Sequence, residues 1–203
     1  MESGRHVYLE DRAGGRYLDF GAGIAVNALG YGRRDLARIA ARQMRKLVHV
    51  SNLFGTEPSL QLARQILADA NARLGAEQGR QYAAVHFGNS GTEANEAAIK
   101  YARAYGRRVR GIEAPVIVAM ENAFHGRTMG ALAASGREAY KDPFRPMLPG
   151  FRHVPLNDAA ALQTACTEDV VAVMVEPVQG EGGLGVLSAE TVALLARLQQ
   201  ERD

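Results

Sequence analysis

From residue 81 onward, short apolar runs alternate with segments whose apolar residues recur at helical spacing. The run VVAVMVEP, at 170–177, is apolar at nearly every position and is typical of a strand covered on both faces. Strands that alternate with helices predict an α/β fold with a mostly parallel sheet. The candidate strands are Tyr82–Phe87, Val116–Met120, Arg152–Val154 and Val170–Glu176, and the candidate helices are Glu93–Tyr105, Thr128–Ala134, Ala159–Thr164 and Ser188–Glu201.

The chain before residue 81 is organised differently. We expect an N-terminal segment at 1–50, made of a hairpin, a glycine-rich loop and a helix, and the first part of a larger domain at 51–203. Short alternating runs around a Gly-Gly turn predict the hairpin, and helical spacing of apolar residues predicts the helices. The predicted elements are strands at Val7–Glu10 and Arg16–Phe20, a turn at Gly14–Gly15, and helices at Asp35–Val48 and Glu57–Leu74.

The composition excludes several classes of protein. Of the 203 residues, 47% are hydrophobic and 23% are charged, as in a globular domain. The net charge is only +2 and basic residues are scattered among acidic ones, so we expect no nucleic-acid partner. The apolar stretches are too short to cross a membrane, and the polar N-terminus does not resemble a signal peptide. The single cysteine, Cys166, excludes a disulfide within the chain and a cysteine-built zinc site, and it favours a reduced, cytoplasmic setting.

Three of the four candidate strands end in polar loops that contain glycine: GNSGT, ENAFHGRT and EPVQGEGG. Ligands of parallel sheets bind at the carboxyl ends of strands, so these loops form the candidate site. In the first loop, glycines such as Gly91, the hydroxyls of Ser90 and Thr92, and the free amides of a helix N-terminus suit a phosphate. The loop matches neither the Walker A nor the GxGxxG pattern. An ordinary helix cap by Ser90 or Thr92 is the open alternative.

The second and third loops carry side chains suited to a planar cofactor and a charged substrate. Phe124, followed by His125, can stack on a planar ring, and Arg127 can bind a carboxylate through two parallel hydrogen bonds. Glu176 and Glu181 flank a glycine-rich bend and could orient a cofactor and gate a cationic partner. Core packing, local hydrogen bonds and solvated charges are the alternatives for these residues. Taken together, the loops favour pyridoxal 5′-phosphate (PLP) with an amino acid.

The order and spacing of five stretches resemble class III aminotransferases: GIAVNALGYG, HVSNLFGTEP, FGNSGTEANEAAIKYAR, ENAFHGRT and VEPVQGEGG. The first two most resemble the acetylornithine branch of that family. The resemblance covers nearly the whole chain. It implies the type I fold of PLP-dependent transferases, normally a homodimer, with a small-molecule amino acid and 2-oxoglutarate as substrates.

The resemblance implies a set of cofactor-binding residues in the first two loops. Ser90, Gly91 and Thr92 would bind the phosphate of PLP. Phe124 would stack on the pyridine ring, and we count His125 with it among the cofactor-binding residues.

The resemblance also implies substrate-binding and supporting residues. Arg127 would hold the carboxylate of acetylornithine or 2-oxoglutarate. Glu176 would lie behind the cofactor, and Glu181 would pair with an arginine of the family's C-terminal part. The family's cofactor aspartate and Schiff-base lysine would follow Asp203, so we expect an incomplete fold, truncated within the large PLP-binding domain. Of the catalytic machinery, only the supporting Glu176 and Glu181 would lie in this chain.

The three lysines present, Lys46, Lys100 and Lys141, are expected at solvated positions and offer no substitute for the Schiff-base lysine. We therefore expect the N-terminal half of an enzyme that transfers the side-chain amino group of N2-acetylornithine to 2-oxoglutarate in arginine biosynthesis. The isolated chain would be inactive. Two alternatives stay open: another ω-amino substrate (ornithine, succinylornithine or 4-aminobutyrate), and a non-catalytic module that binds a phosphate ligand.

Overall fold

The structure, a computed structural model, describes residues 1–74 and 81–202. The chain divides into two compact units, Met1–Ala83 and Ala84–Asp203. Among the described residues, no helix is both long and apolar enough to cross a membrane. The same residues contain no cluster of three or more His, Cys, Asp or Glu side chains that could hold a metal ion.

The first unit begins with a small antiparallel sheet in the order β1-β2-β3. Asp11 organises the turn between β2 and β3, because its Oδ1 accepts hydrogen bonds from the amides of Ala13 (2.9 Å) and Gly15 (2.8 Å). The predicted hairpin is confirmed, whereas the edge strand β1 was not predicted. The strands are β1 (Ser3–Arg5), β2 (Tyr8–Glu10) and β3 (Arg16–Leu18).

Both predicted helices of the first unit are present. The glycine-rich loop contains, in addition, a short helical turn with left-handed backbone angles. On the second helix of the unit, α2, apolar side chains at helical spacing stay exposed: Ile39 by 52% and Met44 by 63%. The helices are α1 (Ala22–Ala25), α2 (Arg34–Lys46) and α3 (Glu57–Leu74).

The second unit contains a parallel sheet in the order β5-β4-β6, so the first of these strands in the chain lies in the middle. The mostly parallel α/β fold is thereby confirmed. A short antiparallel pair, β7 and β8, lies within the third candidate loop. The strands are β4 (Val116–Met120), β5 (Phe151–Val154), β6 (Val170–Met174), β7 (Val178–Gln179) and β8 (Gly185–Val186).

Helices pack on both faces of this sheet. On one face, Met120 and Val118 of β4 pack in a buried cluster with Leu162 of α7 and Leu194 of α8. On the other face, Ile117 packs with residues of α4 and α5. Strand β4 is therefore covered on both sides, as its uninterrupted apolar sequence predicts. The helices are α4 (Gly91–Arg108), α5 (Met129–Ala134), α6 (Glu138–Lys141), α7 (Ala159–Ala165) and α8 (Ala189–Arg202), with a 3₁₀ turn at Asp142–Phe144.

The prediction of a strand at Tyr82–Phe87 is wrong. No β-ladder includes these residues, and most of them are exposed. Instead, the Tyr82 amide donates to Asn71 Oδ1 at 2.7 Å, and Asn71 Nδ2 donates to the Tyr82 carbonyl at 3.0 Å. A strand needs a neighbour to pair its backbone groups, and none of the described strands lies beside this segment.

Lys141 also differs from the prediction. Lys46 and Lys100 are exposed as expected, but Lys141 is only 4% exposed. Its Nζ donates to Glu138 Oε1 at 2.9 Å and lies 3.4 Å from His153 Nε2. A carboxylate one helical turn away thus compensates the buried ammonium group.

Candidate cofactor and substrate site

The first candidate loop forms the N-terminus of α4. The amide of Glu93 donates to Ser90 Oγ at 3.2 Å, and the Glu93 carboxylate accepts from the Ser90 hydroxyl at 3.1 Å and from Asn89 Nδ2 at 3.3 Å. Hydrogen bonds from Asn89 and Ser90 lower the pKa of Glu93. The alternative of an ordinary cap is therefore realised at Ser90, whose hydroxyl is engaged within the loop.

Position 91, directly after Ser90, is open. An added Cβ on Gly91 would meet no heavy atom within 4 Å. The first amides of a helix have no intrahelical acceptor, so those of Gly91 and Thr92 can donate to a ligand at the positive end of the helix dipole. These two residues offer free amide donors for an anion, while the Ser90 hydroxyl bonds to Glu93.

Thr92 brings the first loop against the second. Gly126 has a φ of +128°, and a Cβ there would overlap the side chain of Thr92. A second link comes from Asn95, whose Nδ2 donates to the His125 carbonyl at 2.7 Å. The first turns of α4 and the loop before α5 are therefore in direct contact.

Glu96, one turn further along α4, holds the start of α5. Its Oε1 accepts hydrogen bonds from the Thr128 hydroxyl, from the Gly130 amide at 3.0 Å and from the Ala131 amide at 3.1 Å. The carboxylate satisfies backbone donors that a helix start leaves unpaired. Sequence reasoning missed Glu96; its position four residues after Thr92, on the same helix face, was the available signal.

Glu176 joins the second loop to the third. One carboxylate oxygen, Oε2, accepts from the Phe124 amide at 3.1 Å, and Oε1 accepts from the Gly180 amide at 3.4 Å. The buried Gln179 adds a further link, because its Nε2 donates to the Glu121 carbonyl at 2.9 Å. The two loops are thus fixed relative to each other, and the half-buried Phe124 belongs to the second loop.

His125 is buried and incompletely hydrogen-bonded. Its amide donates to Ser135 Oγ at 3.0 Å, but its Nε2 has no partner among the described residues. Burial lowers the pKa of His125; the charge of Glu176 opposes that shift and His153 adds to it. The second loop therefore carries a buried imidazole that is neutral at neutral pH and has an unpartnered Nε2.

Arg127 and Glu181 lie at the exposed side of the site. Arg127 is exposed, and its guanidinium carbon lies 5.8 Å from the centre of the Tyr140 ring. No acceptor bonds to the Arg127 side chain in the described part of the chain. The Glu181 carboxylate is likewise exposed and unpaired among those residues, while its carbonyl accepts from Arg137 Nη1 at 3.0 Å.

The three loops therefore converge through direct contacts. Thr92 packs against the second loop, and Glu176 bonds to the second and third. The arrangement offers helix-start amides for a phosphate, an aromatic side chain and an unpaired guanidinium. These groups fit PLP, and the unpartnered Nε2 of His125 leaves a buried polar atom for a ligand to satisfy.

The whole chain, residues 1–203, matches the sequence model of the family described as "Aminotransferase class-III". The chain belongs to the class III aminotransferase family. PLP is the cofactor of this family.

Several curated relatives match over the full length of this chain. This chain is 46% identical over 202 residues to acetylornithine aminotransferase of Gloeobacter violaceus. The matched region is 100% of this chain and 48% of the relative. The acetylornithine aminotransferase of Caldanaerobacter subterraneus is 43% identical over 203 residues, again 100% of this chain and 49% of the relative. The chain thus spans about half the length of the curated relatives it matches.

Solved structures of aminotransferases also match nearly all of this chain with about half of their own length. N-acetylornithine aminotransferase from Stenotrophomonas maltophilia matches with a TM-score of 0.77 and 32% identity, covering 100% of this chain and 48% of that chain. Ornithine aminotransferase from Toxoplasma gondii matches with a TM-score of 0.81 and 27% identity, covering 99% of this chain and 46% of that chain. The fold is therefore part of the type I fold of PLP-dependent aminotransferases.

Proposed function

We propose that this chain supplies the phosphate-, ring- and carboxylate-binding loops of a PLP-dependent aminotransferase. The amino donor would be N2-acetylornithine and the acceptor 2-oxoglutarate, as in arginine biosynthesis. The main support is the family match over residues 1–203, together with relatives named acetylornithine aminotransferase that are up to 46% identical. Another ω-amino donor (ornithine, succinylornithine or 4-aminobutyrate) is the second candidate; of these, ornithine is favoured by the similarity to an ornithine aminotransferase structure.

The cofactor-binding part of the proposal rests on the helix start. The amides of Gly91 and Thr92 and the Thr92 hydroxyl would bind the phosphate, with Ser90 holding the loop in shape through Glu93. Phe124 would cover the pyridine ring, and His125 would lie next to it. When bound, PLP supplies an electron sink for carbanion chemistry, while the protein supplies orientation.

The remaining residues would orient the loops and the substrate. Glu176 would fix the loop that carries Phe124, because it bonds to the Phe124 amide. Arg127 would bind a substrate carboxylate through paired hydrogen bonds. Glu181 would pair with a cationic group contributed from outside the described residues.

We further propose that the catalytic lysine and the aspartate that pairs with the pyridine nitrogen belong to the half of the family's length that this chain does not span. The isolated chain would then show no transaminase activity, and the active assembly would be a homodimer of complete subunits. Turnover of N2-acetylornithine and 2-oxoglutarate by the isolated chain would contradict this part of the proposal. A non-catalytic phosphate-binding module is the alternative that such inactivity alone leaves open.

Binding of pyridoxamine 5′-phosphate tests the phosphate site, because this ligand has no aldehyde to react with surface amines. Position 91 allows a selective change: proline at the first helical position removes the amide yet suits a helix start, and the extended backbone of Ser90 is compatible with a following proline. We expect Gly91→Pro to weaken binding about tenfold, the loss expected for one hydrogen bond to a charged group. Isothermal titration calorimetry measures the affinity.

Gly91→Ala is the matched control, because an added methyl group meets open space. It should bind pyridoxamine 5′-phosphate as the wild type does. Pyridoxamine, which lacks the phosphate, should bind all three proteins equally weakly. Equal affinity of the Gly91→Pro variant and the wild type for pyridoxamine 5′-phosphate would refute the assignment of the phosphate to this helix start.

A further inference from the structure

Tyr140, on α6, lies within cation–π distance of two arginines. The guanidinium carbon of Arg137 is 5.0 Å from the ring centre, and that of Arg127 is 5.8 Å from it. Arg137 Nη1 also donates to the Tyr140 hydroxyl at 3.0 Å and to the Glu181 carbonyl at 3.0 Å. The Arg137 guanidinium therefore ties the half-buried Tyr140 to the third loop, and the Arg127 guanidinium lies over the ring of the same tyrosine.

The backbone on both sides of Arg127 is fixed. Gly126 before it is buried against Thr92, and Thr128 after it donates its hydroxyl hydrogen to Glu96. The side chain, by contrast, is exposed and has no hydrogen-bond acceptor within the described ranges. A free arginine side chain samples many rotamers, and ordering it on ligand binding weakens the affinity. Any contact that restricts Arg127 beforehand therefore favours binding.

We propose that Tyr140, anchored by Arg137, is a positioning residue that orients the Arg127 guanidinium for a substrate carboxylate. The inference rests on the proposed function, in which Arg127 binds that carboxylate. The ring attracts the cation through its quadrupole but accepts no strong hydrogen bond. All donors of the guanidinium group thus stay available for a carboxylate, which an acidic neighbour would not allow.

Glutarate, an unreactive five-carbon dicarboxylate, is the probe for the test, and the full 203-residue chain is the protein. We expect Tyr140→Leu to weaken glutarate binding about two- to fivefold, the range of an exposed cation–π contact. Tyr140→Phe keeps the ring but loses the bond to Arg137, so its loss should be smaller. Tyr105→Leu, which removes a 43%-exposed tyrosine elsewhere in the second unit, is the matched control and should bind like the wild type.

An NMR signature gives a readout that does not depend on binding. The ring of Tyr140 should shift the δ-proton and Nε–H resonances of Arg127, assigned with the Arg127→Gln variant. The shift should be lost in Tyr140→Leu and kept in Tyr140→Phe, which also separates loss of the ring from loss of folding. Unchanged Arg127 resonances in Tyr140→Leu would overturn the positioning role.

Different results would contradict the positioning role of Tyr140 and the carboxylate-binding role of Arg127. If Arg127→Gln weakens glutarate binding but Tyr140→Leu does not, Arg127 binds the carboxylate without the tyrosine, and the inference is wrong while the proposed function stands. If Arg127→Gln leaves glutarate binding unchanged, the carboxylate assignment itself is wrong, whatever the resonances show.

Discussion

Two histidines of the second unit, His125 and His153, are shielded from solvent beside charged groups. Burial lowers the pKa of His125, and of the neighbouring charges Glu176 opposes the shift while His153 adds to it. Burial also lowers the pKa of His153; Lys141 lowers it further, whereas the Ala134 carbonyl and Glu138 act in the opposite direction. Both imidazoles are therefore neutral in the folded chain at neutral pH.

The lowered pKa values predict a loss of stability in mild acid. A histidine of the unfolded chain is half-protonated at about pH 6.5. In the folded chain these two histidines take up a proton only at lower pH. The unfolded state then binds more protons, so the free energy of unfolding falls as the pH falls through that range. Each histidine can contribute a slope of up to about 1.4 kcal/mol per pH unit. Urea denaturation between about pH 7 and about pH 5 measures the slope.

Replacing the half-buried His153 tests its share of that slope. We expect His153→Gln to flatten the pH dependence of the unfolding free energy, because the titrating group is gone. Thr164→Gln, at an exposed position without a titrating side chain, is the control and should leave the slope unchanged. An identical slope in His153→Gln and the wild type would contradict the prediction.

At the scale of single elements, α5 depends on a carboxylate from another helix. The helix has only six residues, and its cap residue Thr128 makes no side-chain bond to the helix start. Glu96 supplies that bond instead. We expect Glu96→Gln to lower the free energy of unfolding by about 1–2 kcal/mol, since one charged acceptor for several donors is replaced by a neutral one.

The matched control for Glu96 is the exposed Glu168. Glu168→Gln should change the unfolding free energy by less than about 0.5 kcal/mol, as surface substitutions usually do. Chemical denaturation of both variants against the wild type provides the comparison. Equal stability of Glu96→Gln and Glu168→Gln would mean that α5 does not need the distant carboxylate.

The elements also show what local sequence can predict. The spacing of Ser90 and Glu93 predicts the start of α4, and the apolar run predicts β4 residue for residue, because both signals are local. The bonds from Glu96 span 32 to 35 positions, so no local pattern indicates them. At Tyr82–Phe87 the pattern suits a strand, but pairing requires a neighbour that the pattern cannot supply.

At the scale of the second unit, β6 forms one edge of the sheet within the described residues. A groove of about 480 Å³ lies beside it and is lined by Val171, Val173 and Val175 and by Leu195 and Leu198 of α8. Two arginines, Arg110 and Arg202, also line the groove, and Arg110 donates to the Val170 carbonyl. Strand β6 itself contains no charged residue and no proline, and an apolar strand edge of this kind invites pairing with another chain. We therefore expect the isolated chain to self-associate as its concentration rises.

A lysine on the edge should reduce that association. Val173 is half-buried and packs against the cluster formed by β4, α7 and α8. If the variant stays folded, we expect Val173→Lys to shift the average mass measured by light scattering toward the monomer, because the charge resists burial between two edges. Val192→Lys, at a 52%-exposed position on α8, adds the same charge away from the strand and should have little effect. If the two variants associate equally, the edge is not the contact. Circular dichroism checks that both remain folded.

Local sequence patterns do not predict the order of the strands in the sheet or the contacts between the loops. The alternation of strands and helices predicts a parallel sheet, yet it does not indicate that β4 lies between β5 and β6. Because parallel strands end at a common edge of the sheet, the sequence predicts that the three loops form one site. The contacts that join them, from Thr92, Asn95 and Glu176, depend on side chains distant in sequence. The roles of the loop residues stay predictions.

The contact between Gly126 and Thr92 has a consequence for how this sequence can vary. Two independent conditions require glycine at 126: the neighbouring threonine leaves no room for a methyl group, and the backbone angle is one that other residues rarely adopt. Alanine at 92 would remove the closest atom, Thr92 Oγ1, but its own Cβ would remain 2.9 Å from the added atom, and the backbone angle at 126 would be unchanged. No single second-site substitution can therefore restore the stability of a variant at 126. We expect glycine to be retained at this position as the sequence evolves.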